Sequence, residues 1–320
     1  MKSNMKNKRL ILIILLGVLL LNTHLMPFLK ANSNFTNGLE VGTQVWEVKH
    51  YDEMAWQNTV NSSLNPKHWL GGEADKVGAK SKLTFESISN NDFMSSVIFK
   101  EFIYLNETLS IFPIVKENGY GEDFINDLNH TYYFVWNYGF HDWVFTTGEF
   151  IYQSSFEAEF SIILKDPHDF KQILEHYNDY ASRVNNDTTL QSLNISFPLL
   201  NGDELLWQFA LRRFLVAIPT NNYLITLKDA LNCTNASVEG NTLIFQREGE
   251  TNYSVEVTYN SQGLSETFVV KNSEGSVIYK ITSFYPKTLF FLILGIIGLC
   301  VLGIVILVIV KKIKLKKQFK

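Results

Sequence analysis

Two cysteines among 320 residues leave this chain without a disulfide framework. Cys300 lies inside a long apolar run and Cys233 stands alone before it, so no bridge within the chain joins them and the fold must rest on packing. For Cys233 two states stay open, a buried free thiol and a link between chains. Acidic residues are missing from both ends. None precedes Glu40 and none follows Glu274, while residues 1–31 and 289–320 hold 11 of the 28 basic residues. The middle, from Asn32 to Thr288, therefore holds 17 basic against 32 acidic residues, a net charge of −15. Nucleic acid is a poor partner for such a segment, because phosphate binding needs a basic footprint. The signatures of common chemistries are absent as well. There is no H-E-x-x-H, G-x-S-x-G, phosphate-binding glycine loop or C-x-x-C, so the sequence assigns no catalytic residue, metal site or cofactor.

The two basic ends have recognisable forms. Lys2, Lys6, Lys8 and Arg9 precede an apolar run from Leu10 to Leu21, too short to span a bilayer and typical of a secretory signal, here residues 1–31. Ala31 is the best last residue removed, although Leu29 is large for its position. The alternative is an uncleaved anchor reaching Phe28 across Asn22, Thr23 and His24. From Leu289 to Val310 come 22 residues without a charge, about 33 Å as a helix, which predicts a transmembrane span. Six lysines follow in residues 311–320 and place the C-terminus in the cytoplasm by the positive-inside rule. Gly295, Gly298 and Gly303 make no G-x-x-x-G dimer motif. The expectation is a single-pass type I cell-membrane protein with residues 32–288 outside.

The N-x-S/T acceptor pattern agrees with an external middle. It occurs at Asn34, Asn61, Asn106, Asn129, Asn186, Asn194, Asn232, Asn235 and Asn252, all within that segment.

The 320 residues, 46% hydrophobic and 19% charged, supply one large core or two modest ones once the membrane and targeting segments are subtracted. Residues 43–51 alternate with period two and predict a strand, followed by a short helix from Asp52; residues 61–78 read as loop. Further strands are expected at 82–89, 95–105, 132–137, 142–152 and 156–164. Asp166 is placed to cap a helix with Pro167 at its first position, and Phe170, Ile173, Leu174, Tyr177, Tyr180, Ala181 and Val184 give it one apolar stripe. Helices at 203–215 and 220–231 follow, the first apolar nearly all round. Four strands then form a meander at 242–247, 253–259, 265–271 and 276–282. Its connections Asn260-Ser261-Gln262-Gly263 and Asn272-Ser273-Glu274-Gly275 repeat one chemistry, a type I turn closed by glycine with positive φ. The fold class expected is α+β: a curved antiparallel β-sheet packed on two or three helices, with a half-barrel as one form of it, plus the C-terminal transmembrane helix. A sub-boundary near 185–200 is the alternative to one domain.

A likeness follows from three segments. Val41-Gly42-x-x-Val45-Trp46-Glu47-Val48 after the signal, Ile218-Pro219-Thr220-Asn221 before a helix, and Thr258-Tyr259-Asn260-Ser261-Gln262-Gly263-Leu264 resemble uncharacterised archaeal single-pass surface proteins. The resemblance implies a signal, a β-rich ectodomain and a lysine tail, and it implies no activity. A curved sheet over helices is also similar, at the level of fold, to lipoprotein-carrier half-barrels, which implies an apolar groove.

Dispersed chemistry has two candidates. His130, His141, His168 and His176 meet only if the fold gathers them, and Asp123, Asn126 and Asp127 offer oxygen ligands without the order of a calcium loop. The densest feature is residues 131–145, with eight aromatics: Tyr132, Tyr133, Phe134, Trp136, Tyr138, Phe140, Trp143 and Phe145. These residues are core if buried and a binding surface if exposed, with Trp136, Tyr138 and Trp143 as the ligand candidates and a turn expected at 137–139. The functional expectation is a non-catalytic surface glycoprotein binding a protein, glycan or apolar ligand (lipid included), or serving the envelope structurally; the alternative is a membrane-anchored hydrolase with a dispersed site.

Overall fold

The computed structural model describes residues 35–94, 98, 132–148, 159–212, 214–284 and 303. The expected signal, the expected Leu289–Val310 span apart from Gly303, the lysine tail, the expected 95–105 strand apart from Ile98, Asp123, Asn126, Asp127, His130, Asn34, Asn106 and Asn129 lie outside them. Among the described residues no helix is long and apolar enough to cross a membrane.

Within them the chain is α+β, a large antiparallel sheet with few helices. In chain order come β1 (Gly42–Tyr51), α1 (Glu53–Thr59), α2 (Pro66–Leu70), β2 (Lys80–Met94), β3 (Tyr132–Thr146) and β4 (Glu159–Leu164). Then follow α3 (Asp169–Asn186), α4 (Thr188–Ser192), α5 (Gly202–Leu211), α6 (Thr220–Ala230), β5 (Ala236–Glu239), β6 (Thr242–Glu248), β7 (Asn252–Tyr259), β8 (Ser265–Asn272) and β9 (Val277–Phe284). The sheet order is β4-β3-β2-β1-β9-β8-β7-β6-β5. Two meanders thus join where the first strand pairs with the last, from Val45↔Phe284 to Tyr51↔Tyr279.

Local chemistry explains most boundaries. The Asp52 side chain accepts from Ala55 N and starts α1, and alternation buries Tyr253, Val255, Val257 and Tyr259 along β7. The expected stripe of α3 is buried at Phe170, Ile173, Tyr177, Tyr180, Ala181 and Val184. Its start differs from expectation. Asp166 caps a turn before the helix, accepting from the backbone and ring of His168, and Asp169 N bonds Asp166 O in the i→i+3 manner, so the helix proper begins at Asp169. Residues 61–78 are not all loop, since Asn65 and His68 form a capping box with Pro66 in the first turn of α2. The helix expected at 203–215 stops at Leu211, and Val216 N instead bonds Gly263 O.

Helices cover one face of β1 and β6–β9 through aromatic contacts. Trp69 of α2 lies 4.8 Å from Trp56 of α1, 5.3 Å from Trp207 of α5, and 6.4 Å from both Tyr253 and Phe268 of the sheet. Three of those four contacts are edge-to-face, the arrangement aromatic quadrupoles favour. Residues 197–200 are held along α3 by two-way amide clamps. Asn178 exchanges hydrogen bonds with Leu200, and Asn185 with Phe197. The same sheet continues on both sides of the 185–200 stretch.

The two matched turns are built alike. Asn260 Oδ1 accepts from Gln262 N and Leu264 N, and Asn272 Oδ1 accepts from Glu274 N and Ser276 N. Each closes at a glycine of positive φ, 84° at Gly263 and 82° at Gly275. Their surroundings differ: a Cβ at Gly275 meets nothing within 4 Å, whereas one at Gly263 overlaps the Val216 carbonyl. Gly275→Ala should therefore cost only the strain of a left-handed alanine, about 1 kcal/mol. Gly263→Ala should cost about 3 kcal/mol or more, because the backbone at Val216 has to move. Urea unfolding of the two variants checks this, and equal losses would contradict the packing described.

Candidate functional site

The aromatic stretch is a single strand. The turn expected at 137–139 and the two strands expected around it are corrected, because β3 runs unbroken and is paired on both sides, with Ser87↔Gly139 and Ile88↔Tyr138 on β2 and Tyr138↔Ser161 and Gly139↔Phe160 on β4. Pairing on two flanks satisfies the backbone that a turn would otherwise have had to satisfy locally.

Alternation then sorts the side chains. On one face Tyr133 and Val135 are buried with Ile162 and Leu164 of β4, and the Tyr133 hydroxyl bonds His176 Nδ1 at 3.0 Å. On the other face exposure grows toward the start of the strand. Tyr138 is 0% exposed and packs edge-on against Phe85 with centroids 6.2 Å apart, Trp136 is half-buried against the core, and Phe134 and Tyr132 are 60% and 53% exposed. The Tyr138 hydroxyl has no hydrogen-bond partner among the described residues, and burial pushes its pKa up. Of the three ligand candidates, Trp136 reaches the surface, Tyr138 is core, and Trp143 is placed in β3 opposite Lys82. Tyr132 and Phe134 are surface residues that composition alone did not separate from their neighbours.

Lys165, directly after β4, is anchored by its backbone N to Phe134 O at 3.0 Å. Its ammonium sits 6.0 Å from the Phe134 ring centre and 5.7 Å from that of Trp136, a cation–π placement. Asn90 and Asp92, exposed on β2, lie opposite Trp136 and Phe134. The result is an aromatic surface with one cation over its rings and polar groups beside it.

Other candidates are dispersed. His168 pairs with Asp166 and His176 with Tyr133; His141 lies in β3 opposite Thr84. Among the described residues no group of three His, Cys, Asp or Glu is gathered as for a metal ion. A polar pocket of about 370 Å³ is lined by Asn235, Gln246, Arg247, Glu248 and Asn252, with the Arg247 guanidinium 4.8 Å from the centre of Trp207. Two of its walls, Asn235 and Asn252, belong to N-x-S/T triplets. Asn186, Asn194, Asn232, Asn235 and Asn252 are exposed and Asn61 is half-buried.

Comparison with known proteins adds no relative: no family model, no curated protein and no solved structure matches the chain.

Two titrating groups give tests. Cys233 is a half-buried free thiol beside Asp203, and burial first, with the Asp203 charge next, pushes its pKa up to about 12. Its thiolate is therefore scarce at pH 8. Iodoacetamide should modify Cys233 in the folded chain on the order of a thousandfold more slowly than a free thiol, and non-reducing gels should show no linked chains. Rapid labelling would contradict this burial.

Asp169 is pushed up to about 6, chiefly by burial and further by the charge of Asp166. A carboxyl raised in the folded state favours folding below its unfolded pKa of about 3.8, and that contribution is lost as pH rises through 6. Asp169→Asn should accordingly gain on the wild type by about 1 kcal/mol between pH 4 and pH 8, after screening by solvent is allowed for. Chemical denaturation at both pH values measures it; a gap that does not widen with pH rejects the assignment.

Proposed function

We propose that this chain is a single-pass, membrane-anchored cell-surface glycoprotein that acts by contact rather than catalysis, through the surface formed by Tyr132, Phe134 and Trp136. The observation that carries the reading is the rise in exposure along one face of β3, from 0% at Tyr138 to 60% at Phe134. Large apolar rings left in water at alternate positions of one strand cost solvation that a partner would relieve. The anchor itself rests on the sequence: an uncharged run of 22 residues, lysines beyond it, a signal-like start and acceptor triplets confined to the middle. The archaeal single-pass surface proteins that the chain resembles remain the proposed group.

Surface contact is favoured over an internal ligand by how the sheet closes. Helix α6 packs on β5, one edge strand, while the hydroxyl of its Tyr223 donates to Leu164 O of β4, the other edge, at 2.9 Å. A flat sheet would hold those edges roughly 38 Å apart, yet α6 is only about 16 Å long. We infer that the sheet curls, with a half-barrel as its coarse form. Its covered face is filled by the protein's own rings, Trp56, Trp69 and Trp207 among them, so a lipoprotein-carrier type of groove would require those helices to move.

A photoreactive phenylalanine analogue at Phe134 tests the proposal in intact cells, with the same analogue at Met54, which is 75% exposed, as the control. Position 134 should transfer label to a lipid, glycan or protein well beyond position 54. Equal transfer at the two positions would remove the contact surface.

A further inference from the structure

The register of the sheet fixes where the aromatic surface lies relative to the point at which the chain leaves for the membrane. Strand β9 ends at Phe284, opposite Val45, and Val45 lies opposite Lys82 on its other side. Both β2 and β9 are antiparallel to β1, so they run in the same direction. Beyond Lys82, β2 continues for 12 residues to Met94, paired with β3 as far as Tyr132. At 3.3–3.4 Å per residue, this ribbon reaches roughly 40 Å past the level where β9 ends.

The chain after Phe284 has little reach by comparison. Only Tyr285, Pro286, Lys287 and Thr288 separate the strand from Leu289, where the uncharged run begins. Four residues fully extended span at most about 14 Å. A ribbon that points the same way as the exiting strand and outreaches its tether meets the lipid surface. Its exposed side chains there are Tyr132, Phe134 and half-buried Trp136, with the Lys165 ammonium over two of the rings. Tyrosine and tryptophan with lysine are the chemistry of the bilayer interface, where rings sit at headgroup level and an ammonium extends toward water or phosphate. Tyr285 and Lys287 bring the same residue types to the start of the span. The carboxylate of Asp92, opposite Phe134, limits the depth, since an ionised acid does not follow the rings into hydrocarbon.

We propose that the β2–β3 ribbon docks its Tyr132–Phe134–Trp136 face on the outer leaflet of the membrane to which the chain is anchored, giving the ectodomain a second, shallow attachment. This rests on the anchored-surface reading above and names the partner of the same surface. Docking at two points fixes the orientation of the ectodomain: a ribbon that outreaches its tether rests on the surface only with its strands at a low angle to the bilayer, which leaves the opposite end of the sheet, with Tyr51, α1 and Asn252, tilted up from it.

The test uses the full-length chain in phosphatidylcholine–phosphatidylglycerol vesicles, in a Cys233→Ser, Cys300→Ala background. A spin label is placed at Phe134→Cys, at Tyr132→Cys as a second reporter, and at Met54→Cys as the control on α1. In power-saturation measurements the ratio of oxygen to water-soluble nickel accessibility should be several-fold higher at positions 132 and 134 than at 54. Alkaline carbonate extraction of the same vesicles reports on the anchor. If the chain stays in the pellet and labels 132 and 134 are as open to nickel as label 54, docking is overturned while the anchor stands. If carbonate releases the chain, the anchor fails and docking fails with it. A label at 134 that is immobilised but without oxygen preference points to a protein or glycan partner and overturns the lipid assignment.

Discussion

The pairing of β1 with β9 is the constraint from which the rest of the molecule follows. It makes one sheet out of two meanders and brings the first described strand beside the last. A buried amide secures the junction: Gln44 Nε2 donates to Ser265 O and to Ser283 Oγ, both at 2.8 Å, and so ties β1 to β8 and β9 at once. Both protons of that amide are used, which is what allows a polar group 1% exposed to sit there without penalty. The junction also sets the direction in which β9 runs at Phe284, and therefore that β2 points the same way.

The helical cover depends on the same junction. Tyr51 and Tyr279 are opposite one another across β1 and β9, and both rings contact Trp56, at 6.1 and 5.5 Å. The Tyr279 hydroxyl then donates to Ala74 O at 2.7 Å and pins the segment that follows α2. From Trp56 the contacts pass to Trp69 and on to Trp207, linking the neighbouring helices α1 and α2 and the sequence-distant α5 to one patch of sheet. Aromatic rings suit this role because each buries a large area with few rotatable bonds. Stability without disulfides is thereby concentrated around one line of rings at the end of the sheet away from the chain's exit.

Local chemistry made the C-terminal half legible. An asparagine three residues before a turn-closing glycine, a stripe at three and four, and alternation in β7 each specify structure within a few residues, so Asn260, Asn272 and the buried face of α3 could be read directly. The N-terminal half was harder because its decisive contacts are distant. Gly139 between Tyr138 and Phe140 looks like a turn, and only pairing with β2 and β4 keeps it in a strand. The short α2 was masked by its loop-like composition, although Asn65 before Pro66 carried its signal. Strand β5 is only four residues long, with Ala236 buried and Val238 half-buried, too short for a period to stand out. In the aromatic stretch both parities carry rings, so sequence located the site without saying which rings face out.

What separates the face of Tyr132, Phe134 and Trp136 from ordinary core is its gradient. If the face were core throughout, Phe134 would be covered like Tyr138, four residues away on the same side; it is 60% exposed while Tyr138 is fully enclosed. If it were ordinary surface, selection for solubility would place polar side chains there, as β2 has at Asn90 and Asp92. Rings that emerge from the core together, beneath a shared ammonium, belong to a boundary between water and something less polar. Direction then decides what that something is. Among the described strands the face lies on the part of the sheet that extends furthest in the direction β9 takes at Phe284, and on the proposed anchoring the least polar body in that direction would be the membrane.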